Sequence, residues 1–281
     1  MKSNGGESAD MKRIVCPKDY YNEQGLLLSA KGTKITLSQF LRLQRKYDFL
    51  SETEANERTL ASYEKIKQKI CREDERYKRA DDQLLDQASA LLVNIVFESK
   101  RKPWYMYLTA LGNHINWLYT HSIDVALLSL MMAIESGVSQ RSLWDLGVGG
   151  ILHDVGKLLI PKKIIQKRTE LSDIEKDILR QHCELGVECT TDCAFPILSQ
   201  DIIAQHHERL DGSGYPNQLQ EGQINEYVKI VMIADAFDTI TAGRPYRKTV
   251  EVEEALAYLE DQEGAFSRMY LETLKNILVR P

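Results

Sequence analysis

Hydrophobic positions follow two different periods along this chain. Near the N-terminus, Arg13 to Cys16 and Leu26 to Ala30 are short runs of strand type, joined through the turn-forming stretch Asn22-Glu23-Gln24-Gly25. Lys31-Gly32-Thr33 is a second turn. A helix is predicted next, capped by Thr36 or Ser38, with Phe40, Leu41, Leu43 and Tyr47 as its apolar stripe. From Leu84 onward the period is helical almost throughout: Leu84, Leu85, Ala88, Leu91, Leu92, Ile95 and Val96 share one face. Leu118 to Ile134 is strongly apolar, which predicts a buried helix. Ser139 or Ser142 can cap the helix that follows through Leu143, Leu146 and Ile151. Further helices are predicted over 172–190, 196–208, 226–242, 249–261 and 265–278. Gly and Pro concentrate in one long loop, 209–226, and long loops inside compact helical domains are usually functional.

This pattern divides the chain into a disordered leader (1–11), a small α+β regulatory module (12–50), a charged helical linker (51–100) and an all-α domain (101–281). The fold class is therefore mainly α. Between 51 and 82 the charges are dense and of mixed sign, with neither Pro nor Gly, which suggests a solvated helix. A coiled-coil seam there would need apolar heptads that are poorly sustained.

Composition narrows the function classes. The 281 residues are 43% hydrophobic and 27% charged, enough for a sizeable core. A net charge of −5 argues against a nucleic-acid polymer as partner, yet leaves room for a small anion in a locally basic pocket. The N-terminal stretch has no apolar leader, and the longest apolar run, Val125 to Ile134, is bounded by Asp124 and Glu135 and is too short to insert in a membrane. Five cysteines without framework spacing fit reduced thiols, so a cytoplasmic protein is expected. Cys183, Cys189 and Cys193 cluster near His182, but the CxxC pairs of structural zinc sites are missing, and small buried helix residues are the better reading.

The histidines change the picture most. All six lie between positions 114 and 207, and five of them (His121, His153, His182, His206 and His207) stand beside apolar stripes in helical contexts. A His-Asp pair inside ILHDVGKLLI calls for a partner, because a buried carboxylate is costly unless paired or ligating. Imidazole plus carboxylate suits Fe, Mn or Zn. Asp154 could bridge two ions with its two oxygens. Asp235 and Asp238 lie on one helix face; Asp235, among Ile230, Val231, Ile233 and Ala234, is favoured as a ligand. Asp238 is either a ligand, a cap or a partner to one.

HDVGK at 153–157, HHERLDGSGYP at 206–216 and DAFDTITAGRPYRK at 235–248 together resemble the HD-GYP subfamily of the HD-domain phosphohydrolases. The resemblance spans about residues 110 to 270. It implies an all-α domain with a binuclear or trinuclear iron or manganese centre that hydrolyses cyclic di-GMP to pGpG or GMP. The matching ligands are His121, His153, Asp154, His182, His206, His207 and Asp235. Lys157 matches a lysine that approaches the substrate phosphate, and Tyr215, Arg244 and Arg247 match positions that contact the cyclic dinucleotide. The chain departs from the pattern at Trp117, where trinuclear members carry a Glu, so two divalent ions are expected. It departs again at Leu210, where an aromatic is usual. His114 is placed two turns before His121, on the same helix face, as a partly exposed residue. A weakly active receptor for cyclic di-GMP and an enzyme for 3',3'-cGAMP are the rival functions. A homodimer or a signalling protein is the candidate macromolecular partner.

Overall fold

The computed structural model describes residues 13–15, 20–21, 27–30, 32–36, 74–99, 102–193, 195–242 and 249–279. The leader, residues 51–73 of the linker and the apolar stripe Phe40 to Tyr47 of the helix expected after the second turn lie outside the described residues, while Thr36, one of its two expected caps, ends a strand. In the N-terminal module four short strands are described: β1 (Arg13–Val15), β2 (Tyr20–Tyr21), β3 (Leu27–Ser29) and β4 (Lys34–Thr36). β1 pairs antiparallel with β4, and β2 with β3. The sequence reading had the RIVC and LLLSA runs but not their partners, since Lys34–Thr36 is too short to show a period.

The helical domain is built around a helix that is apolar on nearly every side. The helices are α1 (Asp82–Ser99), α2 (Tyr105–His114), α3 (Asn116–Glu135), α4 (Gln140–Leu152), α5 (Lys162–Ile165), α6 (Asp173–Arg180), α7 (His182–Thr190), α8 (Ile197–Gln205), α9 (Glu226–Thr241), α10 (Val252–Glu260) and α11 (Arg268–Leu278). α3 runs through the middle, packed against α1, α2, α4, α9 and α11. From Val125 to Ala133 every one of its residues is fully buried, which no amphipathic surface helix could tolerate. Trp117–Glu135 is long and apolar enough to cross a membrane, but most of it is buried inside the fold, as a core helix should be.

Local signals account for several boundaries. The Ser139 hydroxyl accepts from Ser142 N–H and starts α4. Ser172 and Glu175 form a reciprocal capping box on α6. Two boundaries differ from expectation. The stretch 172–190 is two helices, separated at Gln181; the charged α6 has no buried residue, whereas α7 begins with the buried His182. His114 ends α2, and Ile115 is extended, so His114 does not share a helix face with His121.

Residues 74–99, counted with the linker in the sequence reading, pack into the same core. Leu84, Leu85, Ala88, Leu92, Ile95 and Val96 of α1 are buried, and so is Tyr77 in the 3-10 turn Glu75–Tyr77 that precedes it.

Candidate metal centre

Seven side chains from five places in the chain converge on one buried point. His121 comes from the second turn of α3. α4 ends at Leu152, and His153 and Asp154 follow at the step into the 3-10 turn Val155–Leu159, so the pair sits at a helix end and not within a helix. His182 begins α7. His206 and His207 lie just past the end of α8, and Asp235 is in the middle of α9. Six of the seven are buried and His207 is half-buried.

The two oxygens of Asp154 face different imidazole pairs. Oδ2 lies 3.6 Å from His121 Nε2 and 3.4 Å from His153 Nε2. Oδ1 lies 3.4 Å from His182 Nε2 and 3.8 Å from His206 Nε2. Asp235 splits in the same way, with Oδ1 3.2 Å from His121 Nε2 and Oδ2 3.4 Å from His207 Nδ1. Two groups that could each hold a metal ion result: His121, His153 and Asp235 on one side, and Asp154, His182, His206 and His207 on the other.

Protons are placed so that lone pairs point inward. His153 Nδ1 bonds the Gly150 carbonyl at 2.7 Å, His182 Nδ1 the Leu179 carbonyl at 2.6 Å, and His206 Nδ1 the Ile202 and Ile203 carbonyls at 3.1 Å. A carbonyl only accepts, so each Nδ1 carries the hydrogen and a neutral ring keeps its Nε2 lone pair free. His182 Nε2 and His206 Nε2 then face each other at 3.2 Å with nothing to share between them. Asp154 Oδ1, beside them, is a buried oxygen without a hydrogen-bond partner. Facing lone pairs and an unsatisfied carboxylate oxygen are what a divalent cation relieves, and the donor set of imidazole and carboxylate suits Fe, Mn or Zn. These residues fit a metal centre.

Titration follows from the same geometry. Burial, then Lys157, pushes His182 down to about 4. Burial, then the neighbouring imidazoles, holds His206 and His207 well below the usual imidazole range. Burial opposes the charged form of His121 too, but Asp235 and Asp238 outweigh it and raise it to about 10. Burial would likewise raise Asp154, yet Lys157 and His153 hold it well below the usual carboxylate range.

These shifts predict acid sensitivity. The unfolded chain takes up protons on its histidines below about pH 6.5, whereas His182, His206 and His207 refuse them in the fold. Stability is therefore lost as pH falls through that window, at roughly 1 kcal/mol per pH unit for each imidazole. His121, with its raised value, contributes fully throughout that range and does not offset the loss. Thermal melts in chelator at pH 7 and pH 5 should show a clearly lower Tm at pH 5; an unchanged Tm would contradict these neutral imidazoles.

Around the ligands lies a shell of charges. Asp238, three residues after Asp235, accepts His121 Nδ1–H at 2.6 Å, so it partners a ligand and is not one of the ligand groups. Lys157 Nζ bonds Asp154 Oδ2 at 2.6 Å, and 14% of its side chain is exposed. The Tyr215 ring lies 4.7 Å from the His207 ring, with the Arg180 guanidinium 5.3 Å from its centroid. A cavity of about 450 Å³ opens beside His207 and Asp235, walled by Arg209, Glu254, Tyr258 and Phe266.

The loop carrying Tyr215 is held by a residue the sequence reading passed over. Glu208 is fully buried, and its carboxylate accepts from Asn217 N–H at 2.7 Å and Leu219 N–H at 2.9 Å. Gly214 lets the loop fold back on that residue: a Cβ there would stand 2.4 Å from Glu208 Cα. The position of Glu208, next to the His pair, was the available signal. Leu210, in place of the usual aromatic, packs half-buried against the core. Trp117, one turn before His121, is half-buried. Cys183 and Cys193 are buried, and no cysteine belongs to a candidate ligand group among the described residues. Arg244 and Arg247 lie outside the described residues.

Residues 106–268 match the model of the HD domain. A cyclic di-GMP phosphodiesterase of Pseudomonas aeruginosa is 32% identical over 160 residues, which are 57% of this chain and 39% of that protein. The 3'3'-cGAMP-specific phosphodiesterase 2 of Vibrio cholerae is 40% identical over 146 residues, 51% of this chain and 28% of that protein. The match thus spans well under half the length of either relative. The HDG"Y"P protein Bd1817 of Bdellovibrio bacteriovorus has a similar fold, with a TM-score of 0.55 at 20% identity over 94% of this chain and 95% of that one.

Proposed function

The chain belongs to the HD domain family, and from that premise we propose that it is a metal-dependent phosphodiesterase that hydrolyses cyclic di-GMP to pGpG or GMP. The observation that carries this reading is Asp154, whose two oxygens serve two separate imidazole pairs at one buried point.

His121, His153 and Asp235 would hold one divalent ion, and His182, His206 and His207 the other, with Asp154 between them. Iron and manganese suit these donors. When bound, such a pair supplies Lewis acidity to a phosphodiester and lowers the pKa of water to give a nucleophile near neutral pH. No side-chain nucleophile is then required. Lys157, bonded to Asp154, brings a positive charge next to the centre, where it can neutralise charge developing on the phosphoryl oxygens or protonate the leaving oxygen. Tyr215, packed beside His207 and Arg180, is the aromatic residue placed to contact the nucleotide. The cavity beside His207 and Asp235 has room for one, with Glu254 able to accept from the N–H groups that guanine carries and adenine lacks. Relatives named for cyclic di-GMP and for 3'3'-cGAMP both resemble this chain, so the second nucleotide is the comparison substrate.

The test is anaerobic incubation of purified, metal-quantified protein with cyclic di-GMP and, separately, with 3',3'-cGAMP, followed by chromatography. The expected result is about two metals per chain and faster conversion of cyclic di-GMP. Full metal occupancy with both nucleotides uncleaved would overturn the enzyme reading. Faster conversion of 3',3'-cGAMP would overturn the substrate.

A further inference from the structure

One charged side chain from ahead of the helical core reaches the shell of the candidate metal centre. Arg76 lies in the turn Glu75–Tyr77, before α1, and its side chain is only 11% exposed. Its Nη1 donates to Asp238 Oδ1 at 2.5 Å, and its Nη2 donates to Asp124 Oδ2 at 2.9 Å and Asp74 Oδ2 at 2.6 Å. Asp238 uses its other oxygen, Oδ2, to accept from His121 Nδ1. The chain Arg76–Asp238–His121 therefore ends on the imidazole that faces both Asp154 and Asp235. Two further contacts dock the turn: Tyr77 is buried in the core, and Arg79 pairs at the surface with Glu253 of α10.

We propose that Arg76 is a positioning residue for the metal centre: by clamping Asp238 beside Asp124 it fixes His121 with Nε2 aimed at Asp154 and Asp235. The proposal rests on the metal-centre reading given above. It makes the segment that follows the N-terminal module a working part of the site.

The physical case is one of charge and geometry. Asp124 and Asp238 are buried carboxylates on neighbouring helices, α3 and α9, and Arg76 is the cation that both of them bond. Its planar fork spans two acceptors at once, which an ammonium cannot copy. Without it, Asp124 and Asp238 lose the donor that holds them both, and Asp238 is free to turn away from His121. That movement loosens the Asp238 bond to His121, and with it the tautomer and direction of that ring. Loss of such an outer partner of a ligating histidine costs on the order of 10–100-fold in metal affinity.

The experiment uses the full chain as wild type, Arg76→Ala, Arg76→Lys and Arg79→Ala. Each is stripped with chelator, checked for a cooperative melt, and titrated with Mn²⁺ while free ion is followed by electron paramagnetic resonance. Arg76→Ala should bind Mn²⁺ about 10–100-fold more weakly, Arg76→Lys should fall between it and wild type, and Arg79→Ala should match wild type. Wild-type affinity in Arg76→Ala overturns the proposal, as does an equal loss in Arg79→Ala, which would mean general docking of the turn. If Arg76→Ala does not fold, Arg76→Lys decides: weakened binding supports the proposal and wild-type affinity overturns it. Failure of the wild type itself to bind Mn²⁺ would instead sink the metal-centre reading.

Discussion

Asp154→Asn is expected to empty the metal centre and to lower turnover by about a thousandfold or more, equivalent to roughly 4 kcal/mol of transition-state stabilisation. The size of the effect comes from position. Asp154 is the residue whose two oxygens each address an imidazole pair, so one substitution removes a donor from both sides. An amide keeps the volume but offers a single acceptor and turns an NH₂ group toward either Lys157 or the inward lone pairs. Lys157 also loses its 2.6 Å partner, leaving an ammonium without its counter-charge at the rim. Metal analysis after gel filtration, with steady-state rates on the same samples, checks this. Circular dichroism of both proteins separates loss of ligand from loss of fold. Retained metal together with wild-type turnover would remove Asp154 from the centre.

The parts of this molecule that were legible in its sequence share a property: their signal is local. The apolar run of α3, the cap at Ser139, the adjacent His153 and Asp154, and the His206-His207 pair all announce themselves within a few residues. Asp235 was readable because a carboxylate among Ile230, Val231, Ile233 and Ala234 needs a reason to be there. Arg76 had no such signal. It stands in a run of mixed charge that has the composition of a solvated helix, and what buries it is a carboxylate 162 residues away. Asp124 was read only as the polar boundary of an apolar run, although it lies one turn from His121 and bonds the same guanidinium. A buried ion pair is a property of two distant positions, and periodicity reports on one element at a time. The pairing of β1 with β4 was illegible for the same reason, as was the break at Gln181, where tertiary packing of His182 overrides a continuous helical pattern. Domain limits suffered too: the boundary placed at 101 falls beyond α1, whose apolar face packs on α3 and α4.

Gly156→Ala is expected to destabilise the fold by about 3 kcal/mol, the upper end of what overpacking costs, and to disturb the His182 side of the centre with it. Gly156 stands two residues after Asp154, where the turn Val155–Leu159 crosses α7. A Cβ there would lie 1.9 Å from the His182 carbonyl oxygen, 2.6 Å from Gly186 N and 2.8 Å from the His182 carbonyl carbon. All three are backbone atoms of one helix, so no side chain can swing aside; the turn and α7 must move apart as rigid pieces in a close-packed interior. That movement carries Asp154 away from His182, the first residue of α7, and so couples a stability defect to a metal defect. Gly222, which has open space at its Cβ, is the matched control and should accept Ala with little change. Urea denaturation of the metal-free proteins gives the stability difference, and metal analysis of the folded fraction gives the second effect. A Gly156→Ala protein as stable as Gly222→Ala would mean that the turn and α7 do not meet this closely. One that is destabilised yet binds its full complement of metal would mean that His182 is held in place by contacts other than the crossing of these two elements.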